Sequence, residues 1–114
     1  AGSTGRGESN IKVCGGFLTV EGMRRGLTPT DACLETLRRV VATTEPRLLD
    51  PRGRPRFQLN FYALNKRGEF GAASLYPSRV GEAATAYPSR FAVHDGREAR
   101  LVDSAYLYDT PAPR

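Results

Sequence analysis

The chain contains only one histidine, His94, and only two cysteines, Cys14 and Cys33, in 114 residues. With a single histidine, no Ser-His-Asp or Cys-His set can be assembled with any specificity. Two cysteines so far apart match neither a metal-binding spacing nor a CxxC motif. The sequence therefore predicts no metal and no other cofactor. Both cysteines occupy apolar positions of predicted helices, so we expect two buried, reduced thiols, with a disulfide between them as the alternative.

Long apolar runs are also missing. No segment approaches the roughly 20 apolar residues that a membrane-spanning helix needs, and the N-terminus has no apolar signal core. We therefore expect no membrane partner. The first residue is not Met, and residues 1–7 have the Gly-rich composition of the middle of a loop. This favours a processed or partial chain.

Acidic residues are fewer than basic ones, 12 against 17, and the net charge is +5. A basic surface raises the possibility of nucleic-acid binding. The arginines are scattered, however, and their densest group falls in residues 45–56, where the Pro/Arg/Gly composition predicts a mobile surface loop away from any chemistry. No aromatic-plus-basic strand typical of an RNA-binding module is present. Nucleic acid is thus not expected as a partner, although a non-catalytic basic α+β binding domain stays open as an alternative.

The first predicted helix follows the Gly-rich loop that ends near Gly7 and covers Glu8 to Arg25. Its apolar residues lie almost all around the helix, so we expect cover on more than one side. Gly15 and Gly16 lower its helix propensity by roughly 1 kcal/mol each relative to Ala. Close packing of these glycines against a sheet would compensate for that loss.

The second predicted helix has clear start signals. Thr28 is the expected N-cap, Pro29 occupies the first helical position and Asp31 lies in the first turn. We expect the helix to fade at Thr43 and Thr44. Its predicted apolar stripe consists of Leu34, Leu37 and Val41, flanked by Cys33 and Val40.

The second half of the chain has the alternating pattern of antiparallel strands. The predicted segments are a strand over 57–63, a hairpin turn at 65–68, a return strand over 69–76, a small-residue loop over 78–89, short strands at 91–93 and 100–103 around a turn at 95–96, and a frayed tail over 104–114. The Gly71-Ala72-Ala73 stretch leaves room for a close neighbour.

These elements predict an α+β fold in which two helices pack on an antiparallel β-meander. On the predicted strand, Phe57, Leu59 and Phe61 can face the helices, which leaves Tyr62 and Leu64 on the opposite face. Material outside this chain must cover that face. Residues 1–114 are therefore interpreted as one domain that is incomplete alone, half of a larger sandwich.

Several short segments occur in an order and spacing that are more specific than any one segment alone. They are Thr4–Glu8, Val20–Gly26, Thr28–Cys33, Ala63–Glu69, Gly71-Ala72, Phe91–Val93 and Leu101–Asp103. In that order they resemble the later part of the glycosylasparaginase β-subunit, over roughly residues 1–103. Plant-type asparaginases and isoaspartyl peptidases share the architecture and the Thr-Gly-x-Gly-Glu pattern before a helix.

The resemblance implies a four-layer αββα sandwich of the N-terminal-nucleophile hydrolase type. In that family a precursor cleaves itself, and the new N-terminal threonine attacks the side-chain amide of a substituted asparagine. The α-amino group of that threonine serves as the base, so neither a histidine nor a metal is needed. The nucleophile lies upstream of these residues, and the chain alone is expected to be inactive and poorly stable.

Thr4 and Gly5 are the two site residues that the resemblance transfers to this sequence. They match the turn whose Thr hydroxyl and Gly backbone N–H hold the oxyanion in the family. Independently, a Gly-rich turn that leads into a helix exposes N–H groups near the positive end of the helix dipole. Such a place suits a developing oxyanion. The alternative is that Thr4 merely caps the helix.

The sequence-based hypothesis is therefore an amidohydrolase that cleaves the side-chain amide of N-glycosylated asparagine. An isoaspartyl peptidase or L-asparaginase of the same family is the alternative activity. The expected partners are the α-subunit and the N-terminal β-subunit segment of the same precursor, a small glycoasparagine substrate, and a second αβ unit in a homodimer. The compartment stays open, periplasm or cytoplasm if the source is bacterial.

Overall fold

The computed structural model describes residues 1–77, 89–110 and 113, and it has the α+β architecture predicted from the sequence. The predicted loop over 78–89 falls outside these residues except at its last position. No helix within the described part of the chain is long and apolar enough to cross a bilayer. The elements are β1 (Gly2–Gly5), α1 (Gly7–Val13), α2 (Gly15–Arg24), α3 (Pro29–Ala42), β2 (Leu59–Leu64), β3 (Phe70–Ser74), β4 (Arg90–His94), β5 (Ala99–Asp103) and β6 (Ala105–Tyr106), with a 3-10 turn at Pro46–Leu48.

The first predicted helix is two helices, because the backbone turns left-handed at Cys14, with φ 49°. The close packing expected of the glycines is confirmed at Gly15, where a Cβ would lie 2.6 Å from the Phe61 ring of β2 and 2.3 Å from Asn10 Oδ1. At Gly16 the nearest atom is 3.9 Å away, so only one glycine is required by packing. The break at Cys14 brings Gly15 directly onto the sheet.

Cover of this region on more than one side is not provided by the described residues. Three apolar side chains of α1 and α2 face solvent: Ile11 is 75% exposed, Phe17 71% and Val20 46%. The opposite side of α2 packs against α3, where the buried Thr19 and Thr36 hydroxyls lie 2.8 Å apart.

Helix α3 begins as predicted. The Thr28 hydroxyl accepts a hydrogen bond from the Asp31 N–H at 3.1 Å, with Pro29 in the first turn. Its buried face is rotated slightly from the predicted stripe, since Leu34 and Val41 are only partly buried. The buried residues are Pro29, Ala32, Cys33, Thr36, Leu37 and Val40. They pack on the face of β2 and β3 that carries Leu59, Phe61, Ala63 and Ala73.

The predicted meander is divided between two sheets. One has the strand order β1-β2-β3-β6, and β4 pairs with β5 in a separate antiparallel hairpin. The opening segment, predicted as a loop, is strand β1 and pairs antiparallel with β2. The tail, predicted as frayed, contributes β6, which runs parallel to β3. Strand propensity is weak in both segments, and their pairing depends on residues far away in the sequence.

Both predicted hairpin turns are confirmed. Gly68 and Gly96 have φ values of 82° and 94°, which glycine adopts without strain. His94 ends β4, and its Nδ1 accepts a hydrogen bond from the Gly96 N–H at 3.0 Å. The room predicted at Gly71 is filled by α3, since a Cβ there would lie 2.2 Å from Thr30 Oγ1.

The loop over 45–56 contacts the C-terminal tail and the segment that follows β3. Arg54 forms a 3.2 Å ion pair with Asp50 and donates to Thr110 Oγ1 at 2.6 Å. The buried Tyr76 hydroxyl donates to the Pro55 carbonyl at 2.7 Å, and its ring stacks on Tyr108 at 5.3 Å. The second half of the loop is therefore in contact with the tail and with Tyr76.

Candidate active site at the edge strand

Strand β1 presents Thr4 on the face of the sheet that is turned away from α3, here called the open face. The β1–β2 register pairs Thr4 with Asn60 and Gly2 with Tyr62, so these four residues share that face. Ser3 points the other way, and its hydroxyl accepts a hydrogen bond from Asn10 Nδ2 of α1 at 2.8 Å. Leu64 of β2, 64% exposed, continues the open face, as predicted for it and for Tyr62.

The Thr4 side chain does not cap a helix. The N-cap of α1 is Arg6, which makes no side-chain capping hydrogen bond. The Thr4 hydroxyl instead contacts the Tyr62 hydroxyl across the two strands. Asn60 Nδ2 donates to the Thr4 carbonyl at 3.3 Å, so the backbone at this position is held as well. The capping alternative for Thr4 is therefore wrong.

Gly5 occupies a position that no other residue can take without strain. Its φ is 126°, in the region that side chains avoid. A Cβ there would lie 2.3 Å from the Gln58 carbonyl oxygen and 2.9 Å from the Leu59 Cα. This close approach of two backbones ends β1 and turns the chain into α1.

The N–H of Gly5 points away from β2. The Arg6 N–H donates to the Gln58 carbonyl at 3.2 Å. Because antiparallel ladders alternate, Thr4 then exchanges hydrogen bonds with Asn60, and Gly5 between them faces the opposite direction. Strand β1 is the outermost strand on its side of the described sheet. The Gly5 N–H therefore points to the outer edge of the described sheet, one residue from Thr4.

The helix dipole contributes less here than the sequence suggested. Thr4 and Gly5 belong to a strand, not to a helix-leading turn, and α1 has only seven residues. A macrodipole grows with the number of aligned peptide units. The position thus offers two hydrogen-bond donors, the hydroxyl of Thr4 and the edge N–H of Gly5.

An open cleft of about 580 Å³ adjoins Tyr62 between the open face and the β4–β5 hairpin. Its walls are largely apolar, and the rings of Phe70 and Phe91 meet edge to face at 6.1 Å. Leu64 and Val93 line it as well. The described residues contain no group of three or more His, Cys, Asp or Glu side chains that could hold a metal ion.

The two cysteines have different environments. Cys33 is buried and free, and burial raises the pKa of its thiol to about 11. Cys14 is also free, but it is exposed at the left-handed junction between α1 and α2. The prediction of two free thiols is confirmed, whereas burial of Cys14 is wrong because the helix breaks there.

In a thiol titration of the native protein, we expect one equivalent to react quickly and the second only after unfolding. The thiolate is the reactive species, so burial and a raised pKa protect Cys33. Cys14→Ser should remove the fast equivalent and leave the slow one. Two fast equivalents in the native protein would contradict the buried position of Cys33.

The chain is a small α+β domain whose strand β1 carries two neighbouring hydrogen-bond donors, the Thr4 hydroxyl and the Gly5 N–H. In sequence, the chain is 37% identical over 103 residues to an N(4)-(β-N-acetylglucosaminyl)-L-asparaginase from Elizabethkingia miricola. The matched region covers 89% of this chain and 26% of that protein, so the chain spans about a quarter of the length of the curated relative. This similarity supports the resemblance to glycosylasparaginases. No protein-family model matches the chain.

Proposed function

We propose that the chain is the C-terminal part of the β-subunit of an amidohydrolase that cleaves the side-chain amide of N-glycosylated asparagine. The observation that carries this proposal is the pair of donors at the end of β1. Thr4 presents a hydroxyl on the open face, and Gly5 presents a backbone N–H at the outer edge of the described sheet. The chain is 37% identical to a protein named for hydrolysis of glycosylated asparagine, which supports an oxyanion-binding role for these two donors.

The proposed reaction proceeds through an acyl-enzyme. A threonine at the N-terminus of the processed β-subunit, outside residues 1–114, attacks the amide carbon and transfers its proton to its own α-amino group. The carbonyl oxygen becomes an oxyanion, which accepts hydrogen bonds from the Thr4 hydroxyl and the Gly5 N–H. As the intermediate collapses, the C–N bond breaks and the α-ammonium group returns its proton to the leaving nitrogen, so the glycosylamine departs as a neutral amine. Water then hydrolyses the remaining ester, which releases aspartate and regenerates the threonine hydroxyl.

The remaining polypeptide of the same precursor has a natural place in this proposal. The open face and the exposed apolar residues of α1 and α2 offer surface to further layers. This agrees with a four-layer sandwich in which the chain supplies one helix layer and one sheet. A homodimer of αβ units is part of the same proposal.

The test is turnover by the complete, processed protein that contains this chain. It would be assayed with N4-(β-N-acetylglucosaminyl)-L-asparagine, L-asparagine and a β-aspartyl dipeptide, with aspartate release as the readout. Preferred turnover of the glycosylated substrate is expected. Preference for either of the other two would assign the alternative activities of the family, and no turnover of any amide would favour a non-catalytic binding domain.

A further inference from the structure

Tyr62 lies on the open face, two residues along β2 from Asn60, the strand partner of Thr4. The register places it opposite Gly2, which has no side chain to block it. The ring can therefore lie over β1, and its hydroxyl reaches the Thr4 hydroxyl. A contact of this kind joins diagonal neighbours on one face of an antiparallel pair.

We propose that Tyr62 is a positioning residue for the oxyanion donor Thr4. A hydroxyl has one hydrogen to donate and two lone pairs that accept. When the Tyr62 O–H donates to Thr4 Oγ1, the single hydrogen of Thr4 is left free for the substrate oxygen. This inference rests on the proposed function and adds to it a residue to which the sequence resemblance gave no role.

The need for such a residue follows from the position of Thr4. Its side chain is exposed on an edge strand, where the hydroxyl can rotate among several orientations. An oxyanion donor is effective only when it already points to the place where charge develops. The hydrogen bond from Tyr62 selects one orientation, and a chain of two hydroxyls polarises each bond in the direction of the oxyanion.

Tyr62 is itself restrained by its surroundings. Its side chain is half-buried and forms part of the wall of the cleft, near Leu64 and Phe70. A tyrosine has only two rotatable side-chain bonds, so packing along its ring fixes the position of the hydroxyl at little entropic cost. Packing of the Tyr62 ring in the cleft wall therefore restrains the exposed Thr4 hydroxyl through the contact between the two hydroxyl groups.

The experiment compares Tyr62→Phe, Thr4→Val and the double variant in the complete, processed protein, with the substrate that the unmodified protein turns over. Phenylalanine keeps the ring and its packing and removes only the hydroxyl. We expect kcat of Tyr62→Phe to fall roughly 3- to 10-fold, the effect of one hydrogen bond, with KM changed little. In the double variant the loss should equal that of Thr4→Val alone, because Tyr62 acts through the hydroxyl that is already absent.

Tyr106→Phe is the matched control, since this tyrosine lies on β6 of the same sheet and is 44% exposed. Its kcat should be unchanged. An active protein in which Tyr62→Phe has unchanged kcat, or in which the two losses multiply, would overturn the role of Tyr62 and leave the proposed function standing. A complete protein without turnover of any of the three amides would overturn both. The extent of precursor cleavage in each variant is compared by gel electrophoresis before the rates are interpreted.

Discussion

In the complete, processed protein, Thr4→Val is expected to lower kcat by roughly 10²–10³-fold, the usual cost of losing one oxyanion donor. Valine keeps the volume and the β-branching of threonine, so β1 should be preserved. The hydroxyl matters most in the transition state, where charge develops on the substrate oxygen, and only such differential binding accelerates the reaction. KM should therefore change much less than kcat. The measurement is steady-state kinetics with the substrate identified for the unmodified protein.

Thr4→Ser is the conservative control for this experiment. It retains a hydroxyl at the same position and should retain more activity than Thr4→Val. Because Thr4 makes no capping hydrogen bond, neither variant should lose the roughly 1 kcal/mol that removal of an N-cap costs. A stable, fully processed Thr4→Val protein with unchanged kcat would remove Thr4 from the mechanism and leave Gly5 as the only oxyanion donor proposed here.

Gly15→Ala is expected to destabilise the protein. The new methyl group would overlap the ring of Phe61, which is fully buried and cannot move aside. Overpacking of a core typically costs about 1–3 kcal/mol. We expect the midpoint of urea unfolding to decrease accordingly, measured by circular dichroism on the complete protein.

Gly16→Ala is the matched control, because it is the next residue of the same helix. Its added methyl group meets only one atom within 4 Å, the Ala1 carbonyl oxygen at 3.9 Å. Alanine is favoured over glycine in helices by up to about 1 kcal/mol, so this variant should be as stable as the unmodified protein or more so. If both alanines stabilise the protein, α2 does not pack on β2 at Gly15.

The parts of the fold that local sequence determines were predicted well. Helix α3 begins where Thr28 and Pro29 place it, because capping depends on neighbouring residues alone. Strand β2 follows its alternating pattern, and both hairpin turns follow their glycines. Each of these signals lies within a few residues of the structure that it specifies.

The parts that failed depend on partners far away in the sequence. The Gly-Ser-Thr-Gly segment of β1 has little strand propensity, and its pairing comes from β2, more than fifty residues later. The break at Cys14 reflects packing of Gly15 on Phe61, which no local pattern shows. Strand β6 has two residues and a parallel partner, so it has no periodicity to detect.

The candidate site divides in the same way. Thr4 and Gly5 are candidates because of the resemblance, whereas their sequence alone left a simple helix cap as an alternative. Tyr62 was expected on the face turned away from the helices, which the alternation of β2 indicates. Its contact with Thr4 could not be predicted, because it requires the pairing of two strands whose residues are 58 positions apart.

The pairing of β1 with β2 also decides which side chain reaches the open face. Side chains alternate along a strand, so a slip of one residue would turn Thr4 into the helix layer and bring Ser3 out in its place. Two contacts oppose such a slip. The Ser3 hydroxyl is bonded to Asn10, and the close approach at Gln58 admits only Gly5. A strand of only four residues can therefore keep the Thr4 hydroxyl on the open face without a long run of hydrogen bonds. Ser3 and Gly5 fix the register of β1, and the register determines that Thr4 is the side chain exposed there.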